Sequence, residues 1–153
     1  MFECIVVPLD GSKQAEVALD YGRDLAEKYS ARLHLVRVLW PSLQALTGGE
    51  VVAVTQAQMA QEQQVARAYL EPLVEKLSRP ELKVSSQVAL GDPAETVLDI
   101  AEEAEASLII MTSHGRSGLR RWLMGSVAER IARHAHCPVM IVGRESVEEK
   151  LDK

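Results

Sequence analysis

The stretch "SLIIMTSHGRSGLRRWLMGSVAERIARHAHCPVMIV", residues Ser107 to Val142, changes its hydrophobic period twice. "SLIIMTS" is a short apolar run, as expected of a strand covered on both faces, and "CPVMIV" is another. Between them "SVAERIARHA" has the spacing of a helix. A strand, a connection carrying a helix and a second strand make a parallel βαβ unit, whose crossover is right-handed.

The same alternation extends upstream. "ECIVVPL" reads as a first strand, and Ser12 to Tyr29 as a helix with Val17, Ala18, Tyr21 and Leu25 at helical spacing. "ARLHLVRVLW" is a second strand, followed by the turn-rich "PSLQALTGGE". A long helix is predicted from Thr55 to Leu77 along the stripe Met59, Ala66, Tyr69, Leu70, Leu73 and Leu77, with a kink or break expected at Pro72. "LKVSSQVAL" is a third strand. "GDPAETVLDIAEEA" opens a helix with Asp92 as N-cap, Pro93 at the first helical position and Glu95 placed for a capping box. The expected fold is α/β: one doubly wound domain, its five-stranded, mainly parallel sheet ordered 3-2-1-4-5, with helices on both faces. Residues 1–143 would form that domain, and residues 144–153 a charged, fraying tail.

Composition narrows the function. A chain of 153 residues with formal net charge -5 has no general basic surface, which argues against nonspecific nucleic-acid binding. No apolar run approaches the roughly 20 residues needed to span a membrane. Met1 leads directly into strand-like sequence, so a cytoplasmic location is expected. Cys4 and Cys137, both in or beside strand-like runs, fit small core residues of a reducing compartment.

Ligands of open α/β sheets sit beyond the carboxyl ends of the strands, where the strand order reverses. With the expected order, that crevice lies between strands 1 and 4, where "PLDGS" and "MTSHG" end. From Met111 to Ile131 the arginines Arg116, Arg120, Arg121 and Arg130 are set against one acidic residue, Glu129. Gly115 and Gly118 permit positive φ or close backbone approach. Ser126 and Glu129 form a Ser-x-x-Glu capping pattern, and the amides of Ser126, Val127 and Ala128 would point out of a positive helix end able to bind phosphate. Glycine and serine before a helix also serve as an ordinary turn and cap, and neither G-x-x-x-x-G-K-[ST] nor G-x-G-x-x-G occurs. The residues alone leave both readings open.

"VPLDGS", "GDPAETVLDIAEE" and "SHGRSGLRRWLMGSVAERIARHAHCPVMIV" together resemble the universal stress protein family, over essentially the whole chain. Its nucleotide-binding branch carries Gly-x2-Gly-x9-Gly-Ser/Thr; here Gly115, Gly125 and Ser126 match, and Thr112 replaces the first glycine. The resemblance implies that ATP or AMP is bound. Pro8 and Leu9 would form the pocket wall, Asp10 would contact the adenine or ribose side, Val38 the adenine, and Met111 and Thr112 the nucleoside. Gly115, Arg116, Ser117, Gly125, Ser126 and Val127 would surround the phosphates. His114 borders that site as a phosphate donor or as a turn residue. The resemblance also implies a homodimer through the last strand, Cys137 to Val142, whose apolar sequence lacks a charged gatekeeper.

Asp10 has three readings: nucleoside contact, an Asx-type turn in "LDGS", or a magnesium ligand shared with a bound nucleotide. "HAHC" lacks the paired spacing of a zinc site, and no metal is expected there. No catalytic residue is assigned, and hydrolysis of ATP would be slow because Asp10 and His114 have no recognisable partner for phosphoryl transfer. The function expected is regulatory or stress-response nucleotide binding; the alternatives are a dimeric interaction module without ligand and a slow ATPase. The 41–54 segment is compatible with a lid or a partner surface.

Overall fold

The computed structural model describes residues 2–40, 44–45, 51–52, 56–113 and 124–151. In chain order its elements are β1 (Cys4–Pro8), α1 (Lys13–Tyr29), β2 (Arg32–Leu39), β3 (Gln44–Ala45), β4 (Val51–Val52), α2 (Gln56–Leu77), β5 (Val84–Leu90), α3 (Pro93–Glu103), β6 (Leu108–Thr112), α4 (Ser126–His134), β7 (Val139–Val142) and α5 (Arg144–Leu151). The main sheet is five-stranded and parallel, in the order β5-β2-β1-β6-β7. Counting its strands alone, this is the expected 3-2-1-4-5. Within the turn-rich segment, β3 and β4 form a separate antiparallel pair, Gln44 opposite Val52.

Alternation along the central strands divides the core. Ile5, Val7, Leu33, Leu35 and Ile110 pack beneath α1 and α2, whereas Val6, Val36, Ile109 and Met111 pack beneath α3 and α4. Burying each such aliphatic side chain stabilises the fold by about 1.5–3 kcal/mol relative to exposure. Gly22 lets α1 lie close to the sheet: a Cβ there would stand 3.1 Å from both Leu33 and Val7 side-chain carbons.

Four local expectations are corrected. First, of the kink or break expected at Pro72, the break does not occur, because α2 continues through it. The proline withholds a bond from the Ala68 carbonyl, but both residues are exposed, so water can satisfy the orphan acceptor. Second, residues 144–151 are helical instead of frayed. Val147 is buried, and Lys150 Nζ lies 2.9 Å from an Asp20 carboxylate oxygen and 4.4 Å over the Tyr21 ring.

Third, Asp92 caps α3 as expected, accepting from the Ala94 and Glu95 amides at 3.0 Å, but Glu95 does not close a capping box. Its carboxylate accepts from Arg130 Nη2 at 2.8 Å, and Arg130 Nη1 is 3.0 Å from both Asp92 oxygens. The α4 arginine thus competes successfully for the glutamate and joins α4 to the start of α3. The Glu95 amide, and after it the Arg130 charge, hold the Asp92 carboxyl below its ordinary range.

Fourth, the N-cap of α4 is Gly125, one residue earlier than the expected Ser126, and the Ser126–Glu129 capping box does not form. Glu129 pairs instead with Arg133 one turn on, at 2.9 Å. Gly125 is fixed there by its own backbone, which donates to the Ser113 carbonyl at 2.9 Å and accepts from the Glu129 amide at 2.9 Å.

Candidate functional site

β1 and β6 are adjacent where the strand order reverses, with Ile5 opposite Leu108 and Val6 opposite Ile109. Their carboxyl ends therefore deliver two turns side by side. The first begins at Leu9, whose amide donates to the Val36 carbonyl at 2.8 Å and so extends β1 along β2. Gly11 follows with φ +86°, a left-handed conformation that glycine adopts without strain. Asp10 accepts from the Ser12 amide at 2.9 Å and from the Ser12 hydroxyl at 2.6 Å. Ser12 in turn accepts from the Ala15 amide at 3.2 Å, capping α1. The carboxylate is thus part of an Asx-type turn that is continuous with a helix cap.

The second turn leaves β6 after the buried Met111 and Thr112. Ser113 donates to the Val142 carbonyl at 3.1 Å and receives the Gly125 amide on its own carbonyl. The chain thereby leaves and re-enters at the same residue, and the first turn of α4 is anchored to the end of β6. Glu129 supplies the first amide bonded within α4, back to the N-cap carbonyl. The amides of Ser126, Val127 and Ala128 precede it and have no intrahelical acceptor, and no side chain caps the helix among the described residues. Such an end carries a partial positive charge and oriented donors.

Of the residues expected at the site, Pro8 ends β1, Leu9 and Asp10 lie on the first turn, and Met111, Thr112, Gly125, Ser126 and Val127 border the second. Val38, near the end of β2, packs with Val127 against the cluster containing Met111. His114, Gly115, Arg116 and Ser117 lie outside the described residues. Position by position, the sequence does not mark a polar group that the fold assembles beside Asp10. Arg37 Nη1 donates to the Leu9 carbonyl at 3.4 Å, and the Tyr69 hydroxyl donates to Glu16 at 3.2 Å. Burial and the Glu16 carboxylate raise the Tyr69 phenol's pKa, against the opposing charge of Arg37. The available signal was Arg37 itself, a cation amid the apolar end of β2.

A sequence profile described as the universal stress protein family matches residues 1–143. The chain belongs to that family. Universal stress protein MJ0531 of Methanocaldococcus jannaschii is 30% identical over 152 residues, spanning 97% of this chain and 86% of that protein. Among solved structures, hypothetical protein MJ0577, described as a structure-based assignment of biochemical function, is similar with TM-score 0.72 and 25% identity, over 94% of this chain and 97% of that one. A universal stress protein in complex with cAMP superposes with TM-score 0.65 at 21% identity, covering 93% of this chain and 97% of its own, a likeness of fold. This universal stress protein carries α5 just beyond the residues that the family profile matches.

Proposed function

We propose that this universal stress protein binds an adenine nucleotide, ATP or AMP, and acts as a regulatory or stress-response binding protein. The observation that carries the reading is the α4 start: three backbone amides without intrahelical acceptors, anchored to β6 beside the Asp10 turn. Phosphate would accept from Ser126 and Val127, with Gly115, Arg116, Ser117 and His114 completing its surround. The nucleoside would lie along Pro8, Leu9, Asp10, Val38, Met111 and Thr112. Each charge-assisted bond to phosphate is worth about 1.5–3 kcal/mol, so a few of them with a buried base reach the roughly 8 kcal/mol of a micromolar ligand. The cAMP bound by a family member of the same fold supports the choice of base.

Asp10 would meet any magnesium that arrives with ATP, through its phosphates. Hydrolysis is expected to be slow, below about 1 s⁻¹, because the Asp10 carboxylate is engaged by the Ser12 amide and hydroxyl of its own turn, which leaves it poorly placed to activate a water. The protein is further proposed to dimerise through β7, which occupies a sheet edge and exposes Met140. Isothermal titration with ATP, AMP and adenosine tests the binding reading. Saturable heat with the phosphorylated ligands is expected; no heat at millimolar concentration would remove the proposal.

A further inference from the structure

Leu9 is tied to β2 at both of its backbone groups. Its amide reaches the Val36 carbonyl, and its carbonyl accepts from Arg37. Arg37 follows Leu33 and Leu35 on the α1 and α2 face of the strand, and at the carboxyl edge its side chain folds back over the β1–α1 turn. A Cβ on residue 11 would stand 3.3 Å from each of its terminal nitrogens and 3.4 Å from Cζ. These three guanidinium atoms are nearly equidistant from that point, as expected of a plane whose outer end lies flat against Gly11. The glycine supplies both the left-handed turn and the space for the cation.

Asp10 stands between these two positions in the chain, and the Ser12 amide and hydroxyl both donate to its carboxylate. From this arrangement we infer that Arg37 is a positioning residue for the nucleotide site, fixing the Leu9–Gly11 turn so that Asp10 is presented to the nucleoside. The inference rests on the nucleotide-binding reading above. It assigns Arg37 no contact with phosphate; the residue acts through Asp10. Lysine would keep the charge but, as a point donor, would not lie flat on Gly11.

A double-mutant cycle separates this role from a general loss of structure. ATP and adenosine are titrated into the wild type, Arg37→Met, Asp10→Ala and the double variant, with thermal unfolding followed for each. Arg37→Met is expected to weaken both ligands about tenfold and by the same factor, and to have no further effect in the Asp10→Ala background. Arg37→Lys should fall between, at roughly threefold, and provides the comparison if Arg37→Met does not fold. Unchanged affinity in Arg37→Met, or a loss that persists undiminished without Asp10, overturns the inference while leaving the nucleotide reading intact. A folded wild type that binds neither ligand overturns both.

Discussion

Replacing Gly125 by alanine separates the phosphate-binding end of α4 from its structural role. The N-cap backbone, φ -60° and ψ 147°, is open to any residue, so alanine imposes no torsional strain there. Its Cβ, however, would stand 3.2 Å from the Ser113 carbonyl oxygen, the same oxygen that accepts the residue 125 amide at 2.9 Å. Relief of that contact requires a shift of a few tenths of an ångström, moving the first turn of α4 away from β6. Losing glycine's unfolded-state entropy favours the variant by about 0.4–1 kcal/mol, which offsets the poorer cap and the contact. The melting temperature should therefore stay within about 4 °C of the wild type. Misdirecting one amide from a phosphate oxygen forfeits about 1.5–3 kcal/mol, or roughly 10- to 150-fold in ATP affinity. Adenosine, which has no phosphate, should lose less than about threefold. Calorimetric titration of both ligands, with a melting curve for each protein, reads the two effects separately. A folded variant with unchanged ATP affinity, or an equal loss for adenosine, would refute the placement of phosphate at these amides.

Two further outcomes concern the helix starts. Asp92→Ala should cost about 1 kcal/mol in urea unfolding through the lost cap, whereas Asp92→Asn keeps most of it because the amide oxygen can accept the same two bonds. The charge-dependent remainder follows the depressed folded pKa: it is present above the unfolded value near about 3.9 and is lost as pH falls through the folded value, so wild type and Asp92→Asn should converge in acid. Ser126→Ala should change unfolding free energy by less than about 0.5 kcal/mol, because Ser126 is exposed and Gly125 holds the cap position; a loss near 1 kcal/mol would return Ser126 to the capping role.

The elements were legible because the sheet is parallel and its central strands are buried. β1 and β6 need unbroken apolar runs, and the helices between them need one apolar stripe, so period alone distinguishes the elements. What escaped was decided by groups distant in sequence. Glu95 has the spacing for a capping box, yet Arg130, 35 residues away, takes its carboxylate. Ser126 has the chemistry of a cap, yet the Ser113 carbonyl fixes the chain one residue earlier. The charged tail is expected to fray on composition, but Val147 and Lys150 find α1 when the chain returns beside it.

The candidate site divides along the same line. The position of Asp10 and Gly125 follows from topology, since any residue at the ends of β1 and before α4 reaches the reversal point. The orientation of Asp10 does not, because Ser12 donates to its carboxylate while Arg37, folded back from β2, holds the neighbouring Leu9 carbonyl. Gly11 shows why a local reading stops short. Its positive φ is legible from "LDGS" as turn chemistry, whereas its second use, leaving room for a guanidinium, exists only once β2 lies alongside β1. A substitution at position 11 would therefore test two effects at once, strain in the turn and displacement of Arg37. Arg37→Met removes the second without the first, which makes it the more informative change to the turn.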